Sequence, residues 1–321
     1  MTTILYKSTD TGAPVLSGQF GALTNLLDAC LVNGYGAKLG AGWTIAFTAL
    51  NTRAYRMNPT ASTGYYLRVE DCNSSRNTNP QDALFTGFKS MTNIDTGAGQ
   101  FPTYTQQPLF TGGVGGLIAR KSATTSTTPR PWVLVADGST FYLFIETDDT
   151  LSECRAVAFG DFVSTCATDA DNCMIIGRTQ IGASASYEFF GAIVNSYPFT
   201  STSPGHYLAD IWTGISGSMP FGVIADYGKG AQSPAMGGTS QLTYPNQPDN
   251  GLLISPLQII HNGALRGHLK GLWNPLTFRP VMHGDTFTGT GDLTGKSMLA
   301  QYVCCQGSQG EVIVETSDTW G

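Results

Sequence analysis

The chain has 321 residues, of which 12% are charged, against about 25% in an ordinary soluble domain, and its net charge is -6. That length fits about two domains or one large β domain. The acidic balance argues against non-specific nucleic-acid binding, which needs basic stripes, and an aromatic content of 11% argues against a disordered chain.

The opening Met1-Thr2-Thr3-Ile4-Leu5-Tyr6-Lys7 has neither a basic n-region nor an apolar h-region, so no signal peptide is expected. No apolar run approaches about eighteen residues, so no membrane span is expected either. Residues 18–32 read as one helix. Ser17 is its candidate N-cap, Leu23, Leu26, Leu27, Cys30 and Leu31 share a face at helical spacing, and Asn33-Gly34 offers a left-handed stop. Thr24, Asn25 and Asp28 fall on the opposite face, which is expected to meet solvent.

After the helix the chain reads as short strands between turns. The expected strands are 43–49, 53–57, 65–70, 83–91, 116–121, 132–136, 140–146, 156–162, 173–178, 206–212, 221–226, 268–273, 298–303 and 311–315. The firmest is a hairpin in which Asp137-Gly138 joins two apolar runs, a dipeptide suited to a type I′ turn. The fold class expected is mainly β: sandwich- or barrel-like antiparallel sheets with one N-terminal amphipathic helix and long loops. The Ser/Thr-rich stretch 122–129 suggests a division into an N-terminal unit, 1–125, and a β-rich unit, 126–321, unless the whole is one large β domain. Segments 196–205 and 231–250 are rich in Pro, Ser, Thr, Gly and Asn, and the second is about 20 residues without periodicity. Loops of that length are functional arms or disordered tips. In 231–250 the apolar anchors of an interface arm would be Met236, Leu242 and Tyr244.

The chemistry-bearing motifs are near misses. Gly291-Asp-Leu-Thr-Gly295-Lys296-Ser297 has Thr290 where a phosphate loop needs its first Gly, and a strand pattern follows where a helix should. A glycine-bearing β-turn is the better reading. Gly214-Ile-Ser216-Gly217 is not a nucleophile elbow. Gly112-Gly113-Val-Gly115-Gly116 lacks dinucleotide spacing and reads as a flexible loop or a close backbone approach. His206, His261, His268 and His283 are scattered and read as structural. Asp169-Ala-Asp171-Asn172 opens like a calcium loop but lacks the later Gly and Glu. No pair of acids stands out for glycoside hydrolysis. The reading is therefore of no enzyme, no catalytic residue, no metal and no cofactor.

The seven cysteines form no C-x-x-C pair. Cys30 belongs to the apolar helix face. Cys154, Cys166 and Cys173 bracket a polar segment and are candidates for a disulfide or an inter-subunit bridge, against buried free thiols. Low charge with many aromatics is the composition of interface cores, which favours an assembling protein over a free monomer.

Several strings resemble structural proteins of tailed bacteriophages and prophages. They are Tyr6-Lys-Ser-Thr-Asp-Thr-Gly-Ala-Pro-Val-Leu-Ser-Gly18, Leu26-Leu-Asp-Ala-Cys-Leu-Val-Asn-Gly-Tyr-Gly36 with Gly42-Trp-Thr44, and Tyr66-Leu-Arg-Val69. Met91-Thr-Asn-Ile-Asp-Thr-Gly97 with Phe101-Pro102, and Arg130-Pro-Trp-Val-Leu-Val-Ala-Asp137 with Thr140-Phe-Tyr-Leu-Phe144, follow, and then Ala158-Phe-Gly-Asp-Phe162 and Arg266-Gly-His-Leu-Lys-Gly-Leu-Trp273. The resemblance runs with gaps to about residue 300 and implies a virion protein without catalytic residues to carry over. Its cysteines depart from the pattern, notably Cys154, Cys166, Cys173 and the Cys304-Cys305 pair, which are candidates for particle-specific bridges. The expectation is a non-enzymatic component of a tail, tail tip, baseplate or neck. It would be localised in the virion, with copies of itself and other virion proteins as partners. The alternative is a receptor- or glycan-binding module on that particle, in which Trp212, Tyr227 and Tyr244 would stack on sugar rings of a host-surface glycan.

Overall fold

The structure, a computed structural model, describes residues 2–105, 115–149, 151, 154–178, 206–210, 219–220, 222–224, 244–246, 248–261, 264–276, 280–305, 308–317 and 319–320. Its centre is an antiparallel sheet in the order β1 (Ile4–Lys7), β8 (Trp132–Ala136), β9 (Thr140–Glu146), β10 (Cys154–Asp161), β12 (Cys173–Ile176), β13 (His206–Leu208) and β14 (Met219–Pro220). A second sheet on one side runs β2 (Thr44–Ala49), β3 (Thr52–Arg56), β4 (Tyr66–Glu70), β5 (Asp82–Asn93) and β6 (Thr96–Phe101), with β7 (Leu117–Arg120) also on β5. A third runs β15 (Gly222–Ile224), β16 (Ile254–His261), β17 (Ala264–Pro275), β20 (Ser308–Glu315), β19 (Ser297–Cys305) and β18 (Thr286–Thr288), with β11 (Val163–Ser164) on β17. Among the described residues all pairings are antiparallel, as expected, and no sheet closes into a barrel.

Successive side chains of a strand point to opposite faces, and both faces of the central sheet are buried. Trp132, Leu134, Phe141, Leu143, Val157, Phe159 and Ile175 enter one apolar core with Leu67, Phe85 and Phe101 of the second sheet. Val135, Tyr142, Phe144, Ala158, Met174 and Ile176 enter another with Leu257, Leu269, Leu272, Val312 and Val314 of the third. This is why the runs at 132–136 and 141–145 are continuously apolar. An antiparallel sheet with one wet face would alternate with polar residues. Each large side chain buried here contributes about 1.5–3 kcal/mol. The first core takes Leu23 and Phe85 from before residue 125 and Phe141 and Phe159 from after it, and β1 is bonded to β8.

The N-terminal helix is shorter than its periodicity predicts. Only α1 (Ala22–Leu27) is α-helical, and Asp28–Asn33 continues as a π-helical turn. Residues 18 and 19 are drawn off by tertiary bonds: Gly18 N–H donates to Ser126 O at 3.2 Å, and Lys121 Nζ donates to Gln19 O at 2.7 Å. The N-cap is therefore Gly21, at φ 82°, and not Ser17. At the other end the Cys30 and Leu31 carbonyls accept from the Ala41 and Trp43 N–H groups, while Gly34 N–H reaches Ala29 O at 2.7 Å. The apolar face is as expected, with Leu23, Leu26, Leu27, Cys30 and Leu31 all fully buried. Thr24 departs from the expectation. It is buried, because Tyr55 packs over it and donates its hydroxyl to Thr24 O and to Asp28 Oδ1.

The 132–146 hairpin forms as expected, with its turn displaced by one residue. Asp137 pairs with Thr140, and Gly138-Ser139 sits at the tip without a left-handed glycine. The Asp137 carboxylate closes it instead, accepting from Ser139 N at 2.7 Å and Thr140 N at 2.8 Å. Among the described residues no helix is long and apolar enough to cross a membrane.

Candidate functional site

Three polar constellations stand out. The first ties the layers together. Lys89 of β5 donates to Asp171 at 2.8 Å and to Asp210, past β13, at 2.7 Å. Arg266 of β17 clamps Asp169 at 2.9 and 3.0 Å, reaches the Asp210 carbonyl and lies over Phe162 at 5.4 Å. The Arg266 and Asp169 side chains are each 1% exposed. Asp169 is held below the usual carboxylate range by the Arg266 and Ser164 hydrogen bonds, which outweigh its desolvation. The acids that open like a calcium loop are thus bound to cations of two other sheets.

The second lies in a cleft of about 210 Å³ between β8–β9 and β19, lined in part by Lys7, Trp132, Cys154, Glu146, His283 and Tyr302. Tyr302 N–H donates to His283 Nδ1 at 2.9 Å, so the proton sits on Nε2, which faces Glu146 Oε1 at 3.1 Å. Both ring nitrogens are engaged, and the pair joins the central and third sheets.

The third is a groove of about 300 Å³ on the outer face of the third sheet. One wall is formed by Tyr244, Gly251 and Leu252, with Tyr244 44% exposed at its rim. The other is the hairpin from β18 to β19, which contributes Phe287, Thr286, Thr288, Thr290 and Leu293. Ile254 and Met298 supply an apolar floor, part of a cluster with Trp273 and Ile313. Among the described lining residues Asp285 is the one ionisable side chain, apart from the Tyr244 phenol.

The residues singled out from sequence are scattered. Among the described residues Cys154, Cys166 and Cys173 form no disulfide. Cys154 and Cys173 are buried in strands, whereas the Cys166 thiol is lowered by the Thr168 hydroxyl beside it. Cys304 and Cys305 lie in β19 opposite Gln309 and Ser308. Tyr244 is at the groove, while Met236, Leu242, Trp212 and Tyr227 lie outside the described residues. His206 is pushed down to about 3 by burial, and burial also lowers His261 and His268. Gly291 opens a 3-10 turn and Gly295 follows it, both at positive φ ahead of β19, and Lys296 Nζ is held by Glu315 Oε1 at 2.7 Å. Sequence reasoning missed the groove's far wall. Asp285 precedes a short edge strand, Thr286–Thr288, that has little local pattern.

In comparison with known proteins, no family model and no curated protein matches the chain.

Proposed function

We propose that the chain is a non-enzymatic structural component of a tailed-bacteriophage particle, in its tail, tail tip, baseplate or neck, where copies pack in a symmetric array. The observation that carries this beyond the resemblance is β2, Thr44-Ile-Ala-Phe-Thr-Ala49. Among the described residues it bonds to β3 alone, so its outer backbone groups form an open edge. It holds no charged residue and no proline, and four of its six side chains are exposed. Free monomers blunt such edges with lysine, proline or bulges, and here only a register shift between Ile45 and Phe47 does so. An edge of this kind pairs with a neighbour through its main chain. Burial of the central sheet on both faces makes the body a rigid block suited to repetition.

The test is mass spectrometry of gradient-purified particles from the producing host. The chain in fixed proportion to other virion proteins is the expected result. Its confinement to the soluble lysate would overturn the reading. A second reading, a receptor- or glycan-binding module, is favoured by the groove at Tyr244.

A further inference from the structure

We propose that the groove between Tyr244 and Phe287 binds a short neutral oligosaccharide. The inference stands on the groove itself and holds whether or not the chain is built into a particle. Both walls are held by hydrogen bonds. Asn246 N–H donates to Gly251 O at 3.0 Å, and Asn246 Nδ2 donates to Asp249 Oδ1 at 2.6 Å, which fixes the turn that carries Tyr244. The opposite wall is pinned by β18 pairing with β19 and by Ala300 N–H donating to Asp285 O at 2.9 Å. A half-exposed Tyr ring and a partly buried Phe ring therefore face a preformed space of about 300 Å³, at the lower end of the range for ligand pockets.

The polar groups around these rings are hydroxyls and one carboxylate. The Thr286 and Thr288 side chains are exposed and have no partner among the described residues, unlike Thr294, whose hydroxyl donates to Gly291 O at 2.6 Å. Asp285 accepts from Met282 N–H through Oδ2 at 3.0 Å, which leaves Oδ1 to accept from a ligand. Among the described residues no lysine or arginine lines the groove, and Lys296 on the same hairpin is held by Glu315 and the Thr319 carbonyl. An anionic ligand would meet Asp285 without a counter-charge. A sugar ring matches the set. Its C–H face lies on the electron-rich face of an aromatic ring, and its hydroxyls both donate to the carboxylate and exchange hydrogen bonds with the threonines. An extended peptide on the open edge of β18 is the competing occupant.

The experiment is a glycan array read with the labelled full chain, followed by titration calorimetry with the neutral glycan retained and with a neutral decapeptide. Tyr244→Ala removes an exposed ring and Thr288→Val an exposed hydroxyl, so both variants keep the fold, checked by circular dichroism. The expected result is a neutral oligosaccharide whose affinity falls about tenfold with Tyr244→Ala and several-fold with Thr288→Val. Retention of no neutral glycan, retention of acidic glycans only, binding of the peptide alone, or a neutral glycan unaffected by both variants would each overturn the proposal.

Discussion

Asp71, just past β4, and Lys121, just past β7, form an ion pair in which neither side chain is exposed. The pair organises the start of α1. Asp71 Oδ2 accepts from Leu23 N–H at 2.9 Å, Asp71 O accepts from Gly21 N–H at 2.8 Å, and Lys121 Nζ also donates to Gln19 O. The two side chains thus supply the cap that Gly21 lacks. Burial pushes Asp71 up to about 6 against the pull of Lys121, and burial lowers Lys121.

Removing one partner leaves a buried charge without compensation, which costs about 3–5 kcal/mol. Lys121→Met is therefore expected to lower the urea midpoint strongly at pH 8. The loss should shrink at pH 5, where Asp71 is protonated. Adding Asp71→Asn to Lys121→Met should recover much of the stability. If the single variant is as stable as the parent at pH 8, the pair does not hold the helix.

Asp161 gives a pH dependence of defined sign. Burial pushes it up to about 6 from 3.8, against hydrogen bonds from the Thr63 N–H and hydroxyl, both at 2.8 Å. A raised acid binds its proton more tightly in the folded state. Its contribution is fully present below about 3.8 and is lost as pH rises through about 6, by on the order of 2–3 kcal/mol. His206, pushed down to about 3, acts oppositely, since the unfolded chain takes up its proton first as pH falls below about 6.5. Asp161→Asn should remove the Asp161 part alone. From pH 4 to pH 7 the urea midpoint of the parent should therefore fall relative to that of the variant. Parallel curves would rule out a raised Asp161.

Gly160 marks where β10 passes the turn of the β8–β9 hairpin. Its φ is 137°, and a Cβ there would lie 2.2 Å from Ser139 O and 2.4 Å from Thr140 Cα. Both obstacles are backbone, in a strand buried on both faces. Gly160→Ala combines backbone strain with overpacking and is expected to cost about 2–5 kcal/mol, read as a fall in melting temperature. A change below about 1 kcal/mol would mean that the turn yields freely.

What was legible in the sequence was local. The runs 132–136 and 141–145 are apolar at every position because two cores need them, and their pairing follows from the short turn between them. The Leu23–Leu31 stripe names its buried face without tertiary information. The missed strands lack such a pattern: β6 reads Thr-Gly-Ala-Gly-Gln-Phe, β16 contains Pro256, and β1 is only four residues long. Their strand state comes from the strand each pairs with, the hairpin neighbour β5 for β6 and β17 for β16, and for β1 a long-range partner, where Ile4 meets Ala136. The helix start was misplaced for the same reason, because Asp71 and Lys121 act on it from 48 and 98 residues beyond Leu23. In the groove, Tyr244 was legible as an aromatic in a Pro-bearing segment. Asp285 and Phe287 became its partners only through the pairing of β18 with β19.

The open edge at β2 leads to the last expectation, that the isolated chain self-associates. Charge repulsion is weak at 12% charged residues. The Thr44–Ala49 edge has high β-propensity and no charge of its own. Ala46 sits at the register shift, is exposed, and has no residue opposite it on β3. A lysine at that site places a charge on the edge without touching a core, so Ala46→Lys should change folding stability by less than about 0.5 kcal/mol. A second strand docking against it would have to desolvate that ammonium. Light scattering across a concentration series should show the parent growing in mass and Ala46→Lys remaining smaller at each concentration. A monomeric parent at high concentration would remove the edge as an assembly element. Equal masses for parent and variant would move self-association to another surface.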